Sequence, residues 1–168
     1  MLSVNTALRP HRSVSLEDLM KEAVGPKNFD NINDIFTTND QFVSMVVDVV
    51  PLGVPFLIPF NDGETGYQIR KRLSRSGYNF GNTVDSAKYM IRNLAGIKRF
   101  EAVLAISQDS LLKIPENGCN YASYAHAANN RAGHRSFSFY NLGNQFTSKH
   151  AVLVFGPAVG EQTSPGDE

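Results

Sequence analysis

Tryptophan is absent from the chain, cysteine occurs once, at Cys119, and no Asn-x-Ser/Thr triplet is present. A lone cysteine excludes an intrachain disulfide, and without glycosylation acceptors nothing favours the secretory route, so an intracellular, cytoplasmic setting is expected. The glycines fit neither a Walker phosphate loop nor a dinucleotide-binding loop. Paired carboxylates suited to acid–base work cannot be picked out, because the acids are scattered among polar neighbours. No internal repeat is visible. Enzymatic activity therefore has little positive support, and no cofactor or metal is implied.

An uninterrupted apolar span is also missing. Residues 42–60 carry one formal charge, Asp48, but hold Gly53 and three prolines, Pro51, Pro55 and Pro59. A membrane helix needs about 20 apolar residues with every backbone group paired inside it. Prolines four apart prevent that, so no membrane span is expected.

What is present fits one domain: 168 residues, 42% hydrophobic and 10% aromatic, with eleven phenylalanines. Residues 1–14 read as a mobile basic arm carrying Arg9, His11 and Arg12 and no acid. That composition also matches a mitochondrial transit segment, although Pro10 interrupts an amphipathic helix there. Residues 15–156 read as a single α+β domain and 157–168 as a mobile tail.

Along the domain, Ser15 and the acids Glu17 and Asp18 predict a helix start. Leu16, Leu19, Met20 and Ala23 continue it, and Gly25-Pro26 stops it. Residues 28–41 predict a polar connector or short helical turn. Its Asp30 and Asp34 lack the central glycine and closing glutamate of a calcium loop. Alternation from Val43 to Val49 predicts a strand with Val43, Met45, Val47 and Val49 buried, paired as a hairpin with a second strand bearing Phe56, Ile58 and Phe60. Pro59 confines that second strand to a sheet edge. A helix is predicted from Asp62 or Thr65 to about Arg75, burying Ile69 and Leu73, and another over 83–94 with Val84, Ala87, Ile91 and Leu94 inward. Strands are predicted at 99–107, 111–115, 135–142 and 150–156, the last a central one. The segment 116–134 reads as turn-rich with a short alanine-containing helix.

The run Asp62-Gly63-Glu64-Thr65 leading into a helix closed by Gly77, after a hairpin, resembles the helix start of ubiquitin-like domains. The resemblance spans about 42–115 and implies a β-grasp: a mixed sheet with helices packed on one face, here with an added N-terminal helix. The helix near 83–94 and the surplus of strands depart from it. The chain given closes Pro165-Gly166-Asp167-Glu168 rather than Gly-Gly, which argues against a conjugated modifier.

Net charge is zero but segregated. Residues 64–100 hold Arg70, Lys71, Arg72, Arg75, Lys88, Arg92, Lys98 and Arg99 against Glu64 and Asp85, a net +6. Three functions follow in order. The first is a non-enzymatic protein-interaction module, an adaptor or a subunit of a larger assembly. It would bind a protein partner through the strand edge at Phe56 and Ile58 and the basic helix residues Arg70, Lys71, Arg72 and Arg75. The second is an RNA-binding protein using segment 64–100, with Tyr67, Tyr78 and Phe80 flanking the cations. The third is a hydrolase with Cys119 as nucleophile and His134 or His150 as base. His126, His134, His150 and Cys119 lack the close-paired spacing of zinc motifs, so no metal site is predicted.

Overall fold

The computed structural model describes residues 14–48 and 53–156. The expected N-terminal arm, C-terminal tail and turn at Pro51 lie outside these residues, apart from Val14, and so does Val49 at the end of the predicted first strand.

Helix α1 (Leu16–Val24) begins in a capping box in which the Ser15 hydroxyl accepts from the Asp18 amide, and it ends at Gly25. Two short helices follow a 3-10 turn: α2 (Ile35–Thr38) and α3 (Asp40–Val43). Strand β1 (Pro55–Pro59), helix α4 (Gly66–Arg75) and the two-residue β2 (Asn79–Phe80) come next. Helices α5 (Thr83–Arg92) and α6 (Leu94–Lys98) are separated at Asn93, whose side chain caps α6 by accepting from the Gly96 amide. The remaining strands are β3 (Ala102–Ala105), β4 (Leu112–Ile114), β5 (Cys119–Ala127), β6 (Arg135–Asn141) and β7 (His150–Phe155).

The sheet runs β1-β7-β3-β5-β4, with β2 also on β7 and β6 also on β5. β3 and β7 pair in parallel and the other pairs are antiparallel, so the fold is α+β with a mixed sheet. β7 is central as its composition predicts, with Ala151–Phe155 buried throughout. β1 is at the edge, as Pro59 requires.

Three expectations are corrected. Residues 43–48, the described part of the predicted first strand, form no strand: Asn39 accepts from the Gln41 amide and starts α3 instead. The Gln41 side chain then donates to the carbonyls of Asp109 and Leu111. Local capping outweighs the alternating valines, and β1 takes β7 as its partner rather than a hairpin neighbour. Residues 119–127, read as turn-rich, are the longest strand among the described residues. Their alanines are poor strand formers in isolation, but Ala125 and Ala127 lie beneath helices, where a small side chain lets layers approach. Finally, helices cover both sheet faces. Leu19, Met20, Val84, Ala87, Met90 and Ile97 pack with Val103, Ala125, Phe137 and Leu153 on one face. Ile69 and Leu73 of α4 pack with Leu104, Val152 and Val154 on the other.

The β6–β7 connection crosses the α4 face and is tied to the approach to α4. The Gly66 amide donates to the Leu142 carbonyl at 2.8 Å, the Phe146 amide to Glu64 at 2.9 Å and the Gly63 amide to Phe146 at 2.8 Å. Gly66 is required here because a Cβ would lie 2.4 Å from the Leu142 side chain. On the opposite face, buried hydroxyls join three elements. The Ser110 oxygen accepts from the Thr83 amide at 2.8 Å, and the Thr83 hydroxyl bonds those of Ser110 and Ser123.

Candidate functional site

Helix α5 is fixed at its start by a reciprocal cap: the Asp85 amide donates to the Asn82 side chain and the Asn82 amide to the Asp85 carboxylate. With Val84, Ala87 and Met90 buried, the helical period turns Asp85, Lys88, Tyr89 and Arg92 to one flank. That flank faces Gly53, Val54, Pro55 and Phe155 across a groove of about 390 Å³. One wall is apolar and the other carries both signs of charge.

Burial pushes the Asp85 carboxyl above the ordinary aspartate range, against the opposing pull of the Asn82 amide and Lys88. Burial also raises the Tyr89 phenol, whose oxygen accepts from the Asn93 side chain at 3.0 Å. Lys88 donates to the Val47 carbonyl at 2.5 Å, which pins the connector beside the groove. Apolar grooves with a few convergent polar and titration-shifted groups are characteristic of binding sites.

Large exposed apolar side chains occur at the end of α3, on the segment that follows it and at the groove itself. Val43 is 52% exposed, Val46 68% and Val54 77%, three of the six such residues among those described. Sequence reasoning placed Val43 in the core because of its alternation. Only the loss of the strand turns it outward.

The predicted partner-binding residues are placed differently. Phe56 and Ile58 are half-buried against the α4-side core, with Phe56 edge-on to Tyr78 at 5.4 Å. The outer backbone edge of β1 is a poor template. The Phe60 amide donates to His150, so by the alternation of the ladder residues 55, 57 and 59 point their backbone groups outward. Two of these three are prolines, leaving the Leu57 amide as the lone outward donor.

On α4, Arg72 holds Glu64 through two hydrogen bonds of 2.9 and 2.8 Å, and Arg70 donates to Gln108 at 2.8 Å. The Glu64 carboxyl is lowered by the Arg72 bond in particular. Lys71 and Arg75 are exposed and make no hydrogen bond or ion pair with described residues. The cations of segment 64–100 are divided, since α4 packs on one sheet face and α5 and α6 on the other. The surface predicted for RNA is therefore not continuous.

The thiol–imidazole pair is not assembled. Cys119 opens β5, while His134 follows the hairpin at the far end of that strand and His150 pairs with Ala102 near the same far end. At about 3.3 Å per residue, Cys119 stands roughly 20 Å or more from either histidine. Its thiol instead donates to the Asn117 carbonyl. Among the described residues, no group of three or more His, Cys, Asp or Glu side chains is arranged to hold a metal ion. None of their helices is long and apolar enough to cross a membrane.

No family model, curated protein or solved structure matches the chain. What the side chains can do in place is seat an apolar group between Val54, Pro55 and Phe155 while Arg92 and Lys88 meet a negative charge beside it.

Proposed function

We propose that this protein is a non-enzymatic interaction module, an adaptor or a subunit of a larger assembly. It docks a protein partner along the valine connector and the α5 groove rather than by adding a strand to β1. The observation that carries this reading is the 77% exposure of Val54 on the wall of a mainly apolar groove, with the 68% exposed Val46 next to Val47, whose carbonyl Lys88 holds at that groove. Single exposed valines are ordinary. Two beside a groove with an apolar wall fit a surface that a partner covers.

A ubiquitin-like, β-grasp kinship belongs to the same proposal. It is supported by an edge strand followed by a helix with a capped start at Thr65 and a glycine stop at Gly77, laid over one face of a mixed sheet. The intracellular, cytoplasmic setting, with mitochondria as the alternative, is supported by the unpaired Cys119.

Photo-crosslinking residues placed singly at positions 46, 54 and 144 test the docking surface. A discrete protein adduct from positions 46 and 54, lacking from the exposed loop position 144 and lost on Val54→Asp, is the expected result. Equal labelling from all three positions would count against this surface.

A further inference from the structure

On the α4 side of the sheet the covering is incomplete. Among the described residues α4 is the only helix that contributes to this core, and its buried side chains meet β3 and β7. The register places Tyr124 and His126 of β5 on this face, opposite Ser138 and Ser136 of β6, with Tyr140 one pair along. The Tyr124 and Tyr140 rings stack at 4.3 Å with 25° between their planes, and both are half-buried. The result is a face-to-face tyrosine pair whose outer ring faces and hydroxyls remain to meet a ligand.

This pair is followed along β5 by a cationic cleft. Lys98, Arg99, Lys149 and His126 line a depression of about 380 Å³ together with Phe100 and Glu101. Glu101 is the one acid there. Its carboxylate lies 3.9 Å from the Lys149 ammonium and 3.7 Å from the His150 ring, and His150 stands edge-on to Tyr140 at 6.0 Å. Three permanent cations against one half-shared carboxylate leave the cleft with a positive excess. The cleft lies where the end of α6 meets the ends of β3 and β5, and His126, which lines it, is two residues along β5 from Tyr124 on the α4 face.

We propose that this part of the sheet binds single-stranded RNA, with phosphates in the Lys98–Arg99–Lys149 cleft and a base against the Tyr124–Tyr140 pair. The chemistry is complementary at both ends. Lysine and arginine neutralise phosphates, while aromatic rings on an open sheet stack bases that a duplex would keep hidden. Ser136 adds a hydroxyl that can bond ribose or a base edge, while the Ser138 oxygen already accepts from the Asn33 side chain at 3.3 Å. Because His126 stands between cleft and tyrosines, successive units of a chain reach the two parts together. This site is separate from the α4 cations and from the valine connector, so it stands or falls independently of the docking surface proposed above.

The test is fluorescence anisotropy of the full chain with a fluorescein-labelled ten-nucleotide RNA of mixed sequence, between 50 and 200 mM KCl. Lys98→Gln combined with Lys149→Gln is expected to weaken binding at least tenfold and to lower the log–log salt slope by about 1.4, two single-strand phosphate contacts' worth. Tyr124→Leu, which keeps an apolar side chain in the stack, is expected to cost about fivefold or more with the slope unchanged. Lys71→Gln with Arg75→Gln, and separately Val54→Asp, are expected to leave affinity within about twofold, since none of these residues lines the cleft or contacts the tyrosine pair. The proposal is overturned if the RNA does not bind at 50 mM KCl, or if the α4 pair abolishes binding while the face variants do not. It is equally overturned if inorganic phosphate or an oligoglutamate peptide competes as well as unlabelled RNA, which would mark a general anion site.

Discussion

The two faces of the sheet are built on different terms. One is roofed by α1, α5 and α6 with the short helices beside them, closed by Phe36, Phe42 and Phe137, and cross-linked by the Thr83, Ser110 and Ser123 hydroxyls. The other has one helix and one crossing connection, and its aromatics grade outward from buried Phe60 and Phe146 to half-buried Tyr140 and Tyr124. A sheet face that is fully roofed offers no surface to a ligand, so on that side binding potential moves to the outer flank of α5. A partly roofed face keeps the sheet itself available. The difference follows from the connections: among the described residues, the chain supplies helices to the first face before and between its strands, and sends α4 and residues 142–149 over the second.

This contrast can be broken most sharply in the two cores. Phe137→Ala, in the roofed core, is expected to cost about 3–5 kcal/mol, whereas Phe146→Ala should fall at about 3 kcal/mol, because the loop that carries it can close on the space. Urea denaturation of both variants decides the matter. Equal losses would mean that the crossing connection is as rigid as the helical roof.

A smaller effect is expected where α4 meets that connection. Gly66→Ala should destabilise by about 1–3 kcal/mol, because the new methyl group would meet the Leu142 side chain and carbonyl. Hydrogen exchange at the Gly63 and Phe146 amides should rise with it, and unchanged protection would show the two segments to be fastened independently.

Acid distinguishes the two sides by sign. The folded pKa of Asp85 is raised, so its unfavourable contribution is absent below the unfolded value. It grows as pH climbs from the ordinary aspartate range, about 3.9, towards neutrality. Asp85→Asn keeps an oxygen for the Asn82 amide and removes that cost. Its melting temperature should gain on the wild type as pH rises through this window, and a constant difference would refute the burial argument.

The folded pKa of Glu64 is lowered, so its stabilisation is present above the unfolded value and is lost as pH falls through the folded one. Glu64→Gln should therefore cost most near neutrality, about 0.5–1 kcal/mol, held down because the Arg72 side chain is 38% exposed. This is the smallest of the expected effects. A loss that persisted at pH 2.5 would show that packing, not charge, is what Glu64 supplies.

Much of the fold was legible where the signal is local. Ser15 and Asp18 announce α1 through a side-chain-to-amide bond within four residues, Thr65 is one of two residues expected to start α4, and Gly77 at φ 80° closes it. Pro59 placed its strand at an edge because a missing amide hydrogen is a property of the residue itself. The candidate sites were legible only in their parts. Lys88, Arg92, Lys98 and Arg99 were visible as charge, but their division between an apolar groove and a cationic cleft was not. Tyr124 and Tyr140 lay in segments whose stacking depends on the β5–β6 register, which no short-range pattern fixes.

The sequence by itself determined the cap of α1, the apolar stripes of α1 and α4, the interruption of the longest apolar run by proline and the central character of β7. Each of these follows from side-chain chemistry acting over one or two turns or along one strand. Tertiary structure alone decided that Val43 faces outward, that an alanine-rich stretch is the longest strand among the described residues, and that α4 lies on the opposite face from α5. Those outcomes depend on which surfaces are left to bury once the sheet has closed, and burial is a property of the whole chain rather than of any segment of it.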